Sequence, residues 1–237
     1  MSDNASKTMI RAENISKTFV LHNQGGAEIK VFEDLSLEVT AGECVILSGA
    51  SGAGKSSLLR SLYANYKPQR GEVWIRHKDQ WVDLLATEPW QVLEVRRDTL
   101  GYVSQFLRVI PRVTTMELVI EPLIARGESE SDAREKAGKL LEKLRIPSNL
   151  WDLPPATFSG GEQQRVNLAM TFIQDYPILL LDEPTASLDK DNRQTVIELI
   201  NDARSAGAAI VGIFHDAEVR AAVGTRSFDL ETARNAA

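Results

Sequence analysis

Three short runs in this 237-residue chain have residue types and spacing that could do phosphate chemistry. The first, Gly49-Ala-Ser-Gly-Ala-Gly54-Lys55-Ser56, fits the pattern G-x-x-x-x-G-K-[ST]. Its glycines let the backbone curl so that successive N–H groups face one pocket. The helix that follows adds the positive end of its dipole. Lys55 would reach the β- and γ-phosphates of a nucleotide, and the Ser56 hydroxyl would ligate Mg²⁺. The second, Ile178-Leu-Leu-Leu181-Asp182-Glu183, is an apolar strand delivering two carboxylates at its carboxyl end. Asp182 could hold a hydrated Mg²⁺, and Glu183 could polarise a water for attack on a γ-phosphate. The third, Phe158-Ser159-Gly160-Gly161-Glu162, opens a helix and offers either a second anion site or an ordinary helix cap.

The elements that must position these runs are legible from periodicity. Met9–Phe19, Ile29–Val39 and Cys44–Leu47 read as strands, with Gly25-Gly26 and Ala41-Gly42 as turns. Leu58, Leu59, Leu62 and Tyr66 mark one face of a helix ending before Pro68. Val73–Val82 reads as two strands around Lys78-Asp79. From about Leu107 to Ile173 the spacing is helical, and Asp132–Arg145 is an amphipathic, solvated helix. Ile178–Leu181 and Ala208–Phe214 are continuous apolar runs, as buried parallel strands require. The expected fold class is α/β, a nucleotide-binding core carrying a helical subdomain.

Composition sets the outer limits. The 27 basic and 33 acidic residues give a net charge of −6 with no block of like charge, which argues against a nucleic-acid partner. Cys44 is the only cysteine, so neither a disulfide framework nor a paired-cysteine zinc site can form within the chain. The longest apolar run, Ala206–Phe214, is far below the roughly 18 residues needed to span a bilayer. Residues 1–12 lack the apolar core of a secretory leader, so the expected location is cytoplasmic.

Taken in order, these motifs resemble the ABC (ATP-binding cassette) ATPase family over about residues 9–223. The resemblance rests on the phosphate loop 49–56, a lone glutamine in Val103-Ser-Gln105 and the signature 158–163. Asp182-Glu183, Ala186-Ser-Leu-Asp189 and His215 complete the series. It implies a P-loop NTPase cassette: a RecA-like core (9–105 and 174–223), an antiparallel β subdomain, a helical subdomain (about 106–173) and a tail (224–237). It further implies two cassettes sandwiching two ATP molecules with Mg²⁺, the second being a copy or a related subunit. Nucleotide would be held by Phe19, Gly49, Ser51, Gly52, Ala53, Gly54, Lys55, Ser56 and Ser57. Ser159, Gly160 and Gly161 would reach the γ-phosphate of the other chain, and Asp189 would couple the two sites. Glu183, His215 and Gln105 would act in hydrolysis, with Ser56, Gln105 and Asp182 at the metal. Two departures stand out: the signature ends in Glu162 where glutamine is usual, and Met170 follows Ala169 where arginine is frequent.

Four stretches, 61–66, 103–112, 157–167 and 208–216, look closely like the PhnL family, the ABC-type subunits of the bacterial phosphonate carbon–phosphorus lyase system. That resemblance implies lyase core subunits as partners. The rival expectation is a motor subunit for separate membrane permeases, of lipoprotein-releasing or exporter type. Arg108 and Arg112 would meet an acidic partner or lie in a solvated loop. The tail beyond Arg226, with Phe228 and Leu230, is expected to fray.

Overall fold

The computed structural model describes residues 7–21, 25–107 and 111–231. Two sheets form the frame. An antiparallel sheet of order β2-β1-β4-β5 is built from β1 (Thr8–Leu21), β2 (Ala27–Thr40), β4 (Arg70–His77) and β5 (Gln80–Asp83). A parallel sheet of order β6-β7-β8-β3-β9 contains β3 (Cys44–Ser48), β6 (Leu100–Val103), β7 (Ile178–Asp182), β8 (Ala209–Ile213) and β9 (Arg226–Asp229).

The parallel sheet is a wall between two cores, and the period-2 alternation of its strands assigns each side chain to one of them. Val45, Leu47, Ile178, Leu180, Val211 and Ile213 face one core. There they meet the antiparallel sheet and Leu58, Leu59 and Leu62 of α1 (Lys55–Leu62). Cys44, Ile46, Leu179, Leu181 and Ile210 face the other. That second core is closed by α3 (Thr115–Ile124), α4 (Glu130–Lys143) and α5 (Gly160–Phe172), with α6 (Lys190–Ser205) and α7 (Ala217–Val223). Burial on both faces explains why β7 and β8 are unbroken apolar runs. It also pushes the Cys44 thiol up to about 12, out of the reactive range.

Helical spacing in the middle of the chain resolves into α3, α4 and α5, joined by two short 3₁₀ turns at Ser148–Leu150 and Pro155–Thr157. α2 (Pro89–Asp98) and β6 lack a legible pattern. α2 buries only Val95, and β6 is four residues long. None of the helices among the described residues is long and apolar enough to cross a membrane.

Residues 226–231 of the tail depart from the expectation of fraying, while 232–237 lie outside the described residues. β9 adds to the parallel sheet beside β3, Leu230 is fully buried, and Glu231 accepts a hydrogen bond from Ala50 N–H at 3.1 Å. A four-residue strand with one half-buried position, Phe228, carries too little periodic signal to be read alone; the open edge of β3 supplies the partner. Leu230→Ala is therefore expected to destabilise the protein by about 2–4 kcal/mol in urea unfolding, as for other buried leucines. A loss below roughly 0.5 kcal/mol would indicate a frayed end.

Candidate functional site

The phosphate loop joins β3 to α1, and its glycines are needed for conformation and for space. Gly49, Gly52 and Gly54 have φ of 133°, 80° and 99°. A Cβ on Gly54 would lie 2.6 Å from Val31 Cγ1, so the loop can pass this close to β2 only without a side chain there. Lys55 folds back across the loop, its Nζ donating to Gly49 O at 2.7 Å and Ala50 O at 2.8 Å. The result is a cleft of about 610 Å³. Gly49, Ser51, Gly52, Gly54, Lys55, Ser56 and Ser57 line it, together with Phe19, Glu183 and His215. Ala53 is buried beneath the loop, its N–H donating to Ala50 O.

Asp182 ends β7 and has no solvent exposure. Ser56 Oγ donates to its Oδ1 at 2.9 Å, and Tyr102 OH donates to its Oδ2 at 3.3 Å. Burial pushes the Asp182 carboxyl upward, opposed by the Ser56 hydrogen bond and by Arg60. Tyr102 is itself pushed up to about 12, chiefly by burial, so its hydroxyl stays a neutral donor at physiological pH. Its ring stacks on Tyr63 at 4.8 Å. Tyr102 has no part in the sequence motifs. Only its register on β6, opposite Leu180 of β7, brings it to Asp182.

Glu183 adopts a left-handed backbone, φ 55°, which turns its side chain out of the sheet. Both carboxylate oxygens are engaged: Gln105 Nε2 donates to Oε2 at 3.1 Å, and His215 Nε2 lies 2.7 Å from Oε1. Three residues distant in sequence thus converge on one point. Their roles in the sequence could be assigned only through motif order.

Ser159, Gly160 and Gly161 do not line the phosphate cleft of their own chain. Ser159 is the N-cap of α5, and Glu162 stands at its N3 position. Glu162 accepts from Ser159 N–H at 2.8 Å while its own N–H donates to Ser159 Oγ, a reciprocal capping box. The Ser159 hydroxyl, which donates to Glu162 Oε2 at 2.6 Å, and then the Ser159 N–H hold the Glu162 carboxyl below its ordinary range. Gly161 lets the chain after Glu183 pass close, since a Cβ would lie 3.0 Å from Ser187 O. Asp189 also lies outside the cleft. It caps α6, with Asn192 N–H and Nδ2 donating to its two oxygens at 2.8 Å each.

A second groove, of about 660 Å³, lies on the far side of Gln105 and includes Tyr63, Tyr66, Phe106 and Met170. Asn167 Nδ2 ties α5 to the Gln105 segment through Ser104 O at 2.6 Å. Met170 faces this groove, so the departure from arginine makes its wall more apolar. Arg112 is exposed with φ 68°, and Arg108 lies outside the described residues.

The raised Asp182 carboxyl makes a stability prediction. The folded protein keeps this proton to higher pH than the unfolded chain. Nucleotide-free stability should therefore fall as pH rises from the ordinary 3.8 through the raised folded value. Above that window the desolvation penalty remains. Asp182→Asn is expected to raise the melting temperature at pH 7.5 and to flatten its pH dependence in the acid range. A lower melting temperature would mean that Ser56 and Tyr102 fully compensate the buried charge.

The ABC transporter family model matches residues 32–186. The chain is 32% identical over 215 residues to the lipoprotein-releasing system ATP-binding protein LolD of Idiomarina loihiensis, covering 89% of this chain and 90% of that one. It is 36% identical over 215 residues to the macrolide export ATP-binding/permease protein MacB of Brucella melitensis, covering 91% of this chain but only 32% of that protein. The chain thus spans about a third of the length of the macrolide exporters. Among solved structures, the ADP- and phosphate-bound dimeric cassette MJ0796 superposes with a TM-score of 0.84 at 29% identity, over 93% of this chain and 94% of that one. With its phosphate loop, signature helix, terminal carboxylate pair and two-sheet core in this arrangement, the chain belongs to the ABC transporter family of ATP-binding cassettes.

Proposed function

We propose that the chain is the ATP-hydrolysing motor subunit of a multi-subunit assembly, working as one half of a cassette dimer. The observation that carries this reading is the split of its phosphate-binding elements. The phosphate loop, Glu183 and His215 line one cleft, and Ser159–Gly161 lie outside it. Two head-to-tail copies, or one copy and a related subunit, would bring each signature to the other's nucleotide.

The donor set fits Mg²⁺·ATP. Ser56 Oγ, the Asp182 carboxylate and the Gln105 amide oxygen are hard oxygen ligands of the kind Mg²⁺ takes, and Mg²⁺ would neutralise charge on the phosphate oxygens. Phe19 would lie against the adenine; here its ring meets Tyr66 edge-on at 5.2 Å. Lys55 would exchange its loop carbonyls for phosphate oxygens. Glu183, held from both sides, would orient a water in line with the γ-phosphorus and accept its proton as the bond to ADP breaks. Gln105 and His215 would then contact the γ-phosphate end of the site. Asp189 would communicate between the two sites through the cap of α6.

The relatives support a membrane-permease partner over the phosphonate-lyase assembly that the four sequence stretches implied, because LolD and MacB are named for release and export systems. Residues of two of those stretches, Tyr63 and Tyr66 of the first and Ser104 and Phe106 of the second, share the groove beside Gln105, where either kind of partner would dock. Partner specificity written there would leave the cassette core unchanged.

Two measurements test these readings. Glu183→Gln is expected to cut ATP turnover by about 100-fold or more, as loss of a general base does, and to sediment as a dimer with ATP. Wild-type turnover in that variant, or no turnover in the wild type with its partners, would overturn the motor. Affinity purification at native expression is expected to recover permease subunits. Recovery of phosphonate-lyase subunits instead would sink the transporter reading and establish the other.

A further inference from the structure

Away from the nucleotide cleft, the β4–β5 hairpin and α2 bring three metal-competent side chains together. His77 is the last residue of β4, and Lys78 and Asp79 form the two-residue turn with φ of 47° and 64°. The His77 side chain is 7% exposed. Its Nδ1 lies 2.6 Å from Thr99 Oγ1, while Nε2 has no hydrogen-bond partner among the described residues. A buried, unpaired imidazole nitrogen is costly unless something fills the space before it. That nitrogen faces Glu94, whose Oε1 is 3.7 Å away. Asp98 follows Glu94 by four residues, on the same face of α2. One ligand atom from each of His77, Glu94 and Asp98 lies within 4.8 Å of the others.

The cluster already attracts cations. Lys78 Nζ bonds Glu94 at 2.6 Å and Asp98 at 3.1 Å, and Arg97 holds the Asp98 carboxylate at 2.8 Å. These partners depress both carboxyls, chiefly through Lys78 for Glu94 and Arg97 for Asp98. No cation, however, pairs with Nε2. Lys78 stands at the tip of the turn with a side chain 59% exposed, so its two ion pairs can be exchanged for water.

We propose that His77, Glu94 and Asp98 form a site for a divalent transition-metal ion of the zinc class, separate from the nucleotide. With Nδ1–H donating to Thr99, the Nε2 lone pair is directed at the metal position, the arrangement by which a buried partner usually fixes a ligating imidazole. One nitrogen and two carboxylate oxygens, with water as the fourth ligand, suit Zn²⁺ and not the all-oxygen preference of Mg²⁺. Small side-chain movements would draw the three donors inward and displace the Lys78 ammonium. The bound ion would clamp the antiparallel sheet to α2.

Chelator-buffered Zn²⁺ titration of the full chain without nucleotide, followed by calorimetry and thermal melting, tests the site. One equivalent should bind and raise the melting temperature. Glu94→Gln, a partly exposed change, should weaken binding at least tenfold and leave Mg²⁺-dependent ATP turnover unchanged. His77→Gln should weaken it similarly. Lys78→Met should tighten binding several-fold, because no ammonium competes. His215→Ala should keep the response, which separates this site from the Glu183–His215 pair. The proposal fails if neither wild type nor Lys78→Met shows a zinc-dependent shift, or if Glu94→Gln binds zinc as wild type does. In the first case the cluster is an internal ion-pair network, and Lys78→Met lowers the melting temperature whether or not zinc is present.

Discussion

A carboxylate buried without solvent exposure at the end of β7 constrains much of the molecule. Asp182 can stay there only if hydrogen-bond donors reach it from protein. Ser56 does so from the first turn of α1, and Tyr102 does so from β6. The phosphate loop, the helix after it and the edge strand of the parallel sheet are therefore held to one point. Under the proposed function the same point would receive the nucleotide's metal, and the group that is awkward for stability would be the one the chemistry uses.

The parallel sheet makes that geometry rigid. Alternate residues of β3, β7 and β8 feed separate cores, so a one-residue slip in any of them would exchange the side chains sent to the two cores and disrupt the packing of both. Glu183 follows immediately, outside the ladder and in a left-handed conformation, where its carboxylate meets Gln105 and His215. Gln105 belongs to the segment that Asn167 ties to α5. Movement of the helical arm is thus mechanically connected to one of the two groups gripping Glu183.

Much of the site was legible in the sequence because its motifs are local. Gly49–Ser56 and Ile178–Glu183 each carry strand, turn and chemical group in consecutive residues. What stayed illegible is non-local. Tyr102 acquires its meaning from the pairing of β6 with β7, and α2 has almost no apolar face to announce it. Residues 226–231, with Phe228 and Leu230 as their apolar positions, read as a fraying tail in sequence, and the edge of β3 provides the partner that orders them. The capping role of Glu162 shows only once α5 is seen to begin at Gly160.

The sequence by itself determined the α/β class, the phosphate loop, the carboxylate pair and the absence of any internal disulfide. Each follows from contiguous patterns or from a count. Only the tertiary structure decided which partners hold Asp182 and Glu183, that the signature stands outside its own chain's cleft, and that His77 faces two carboxylates of α2. Those facts depend on strand order and on long-range closure of the two cores, which no window of consecutive residues encodes.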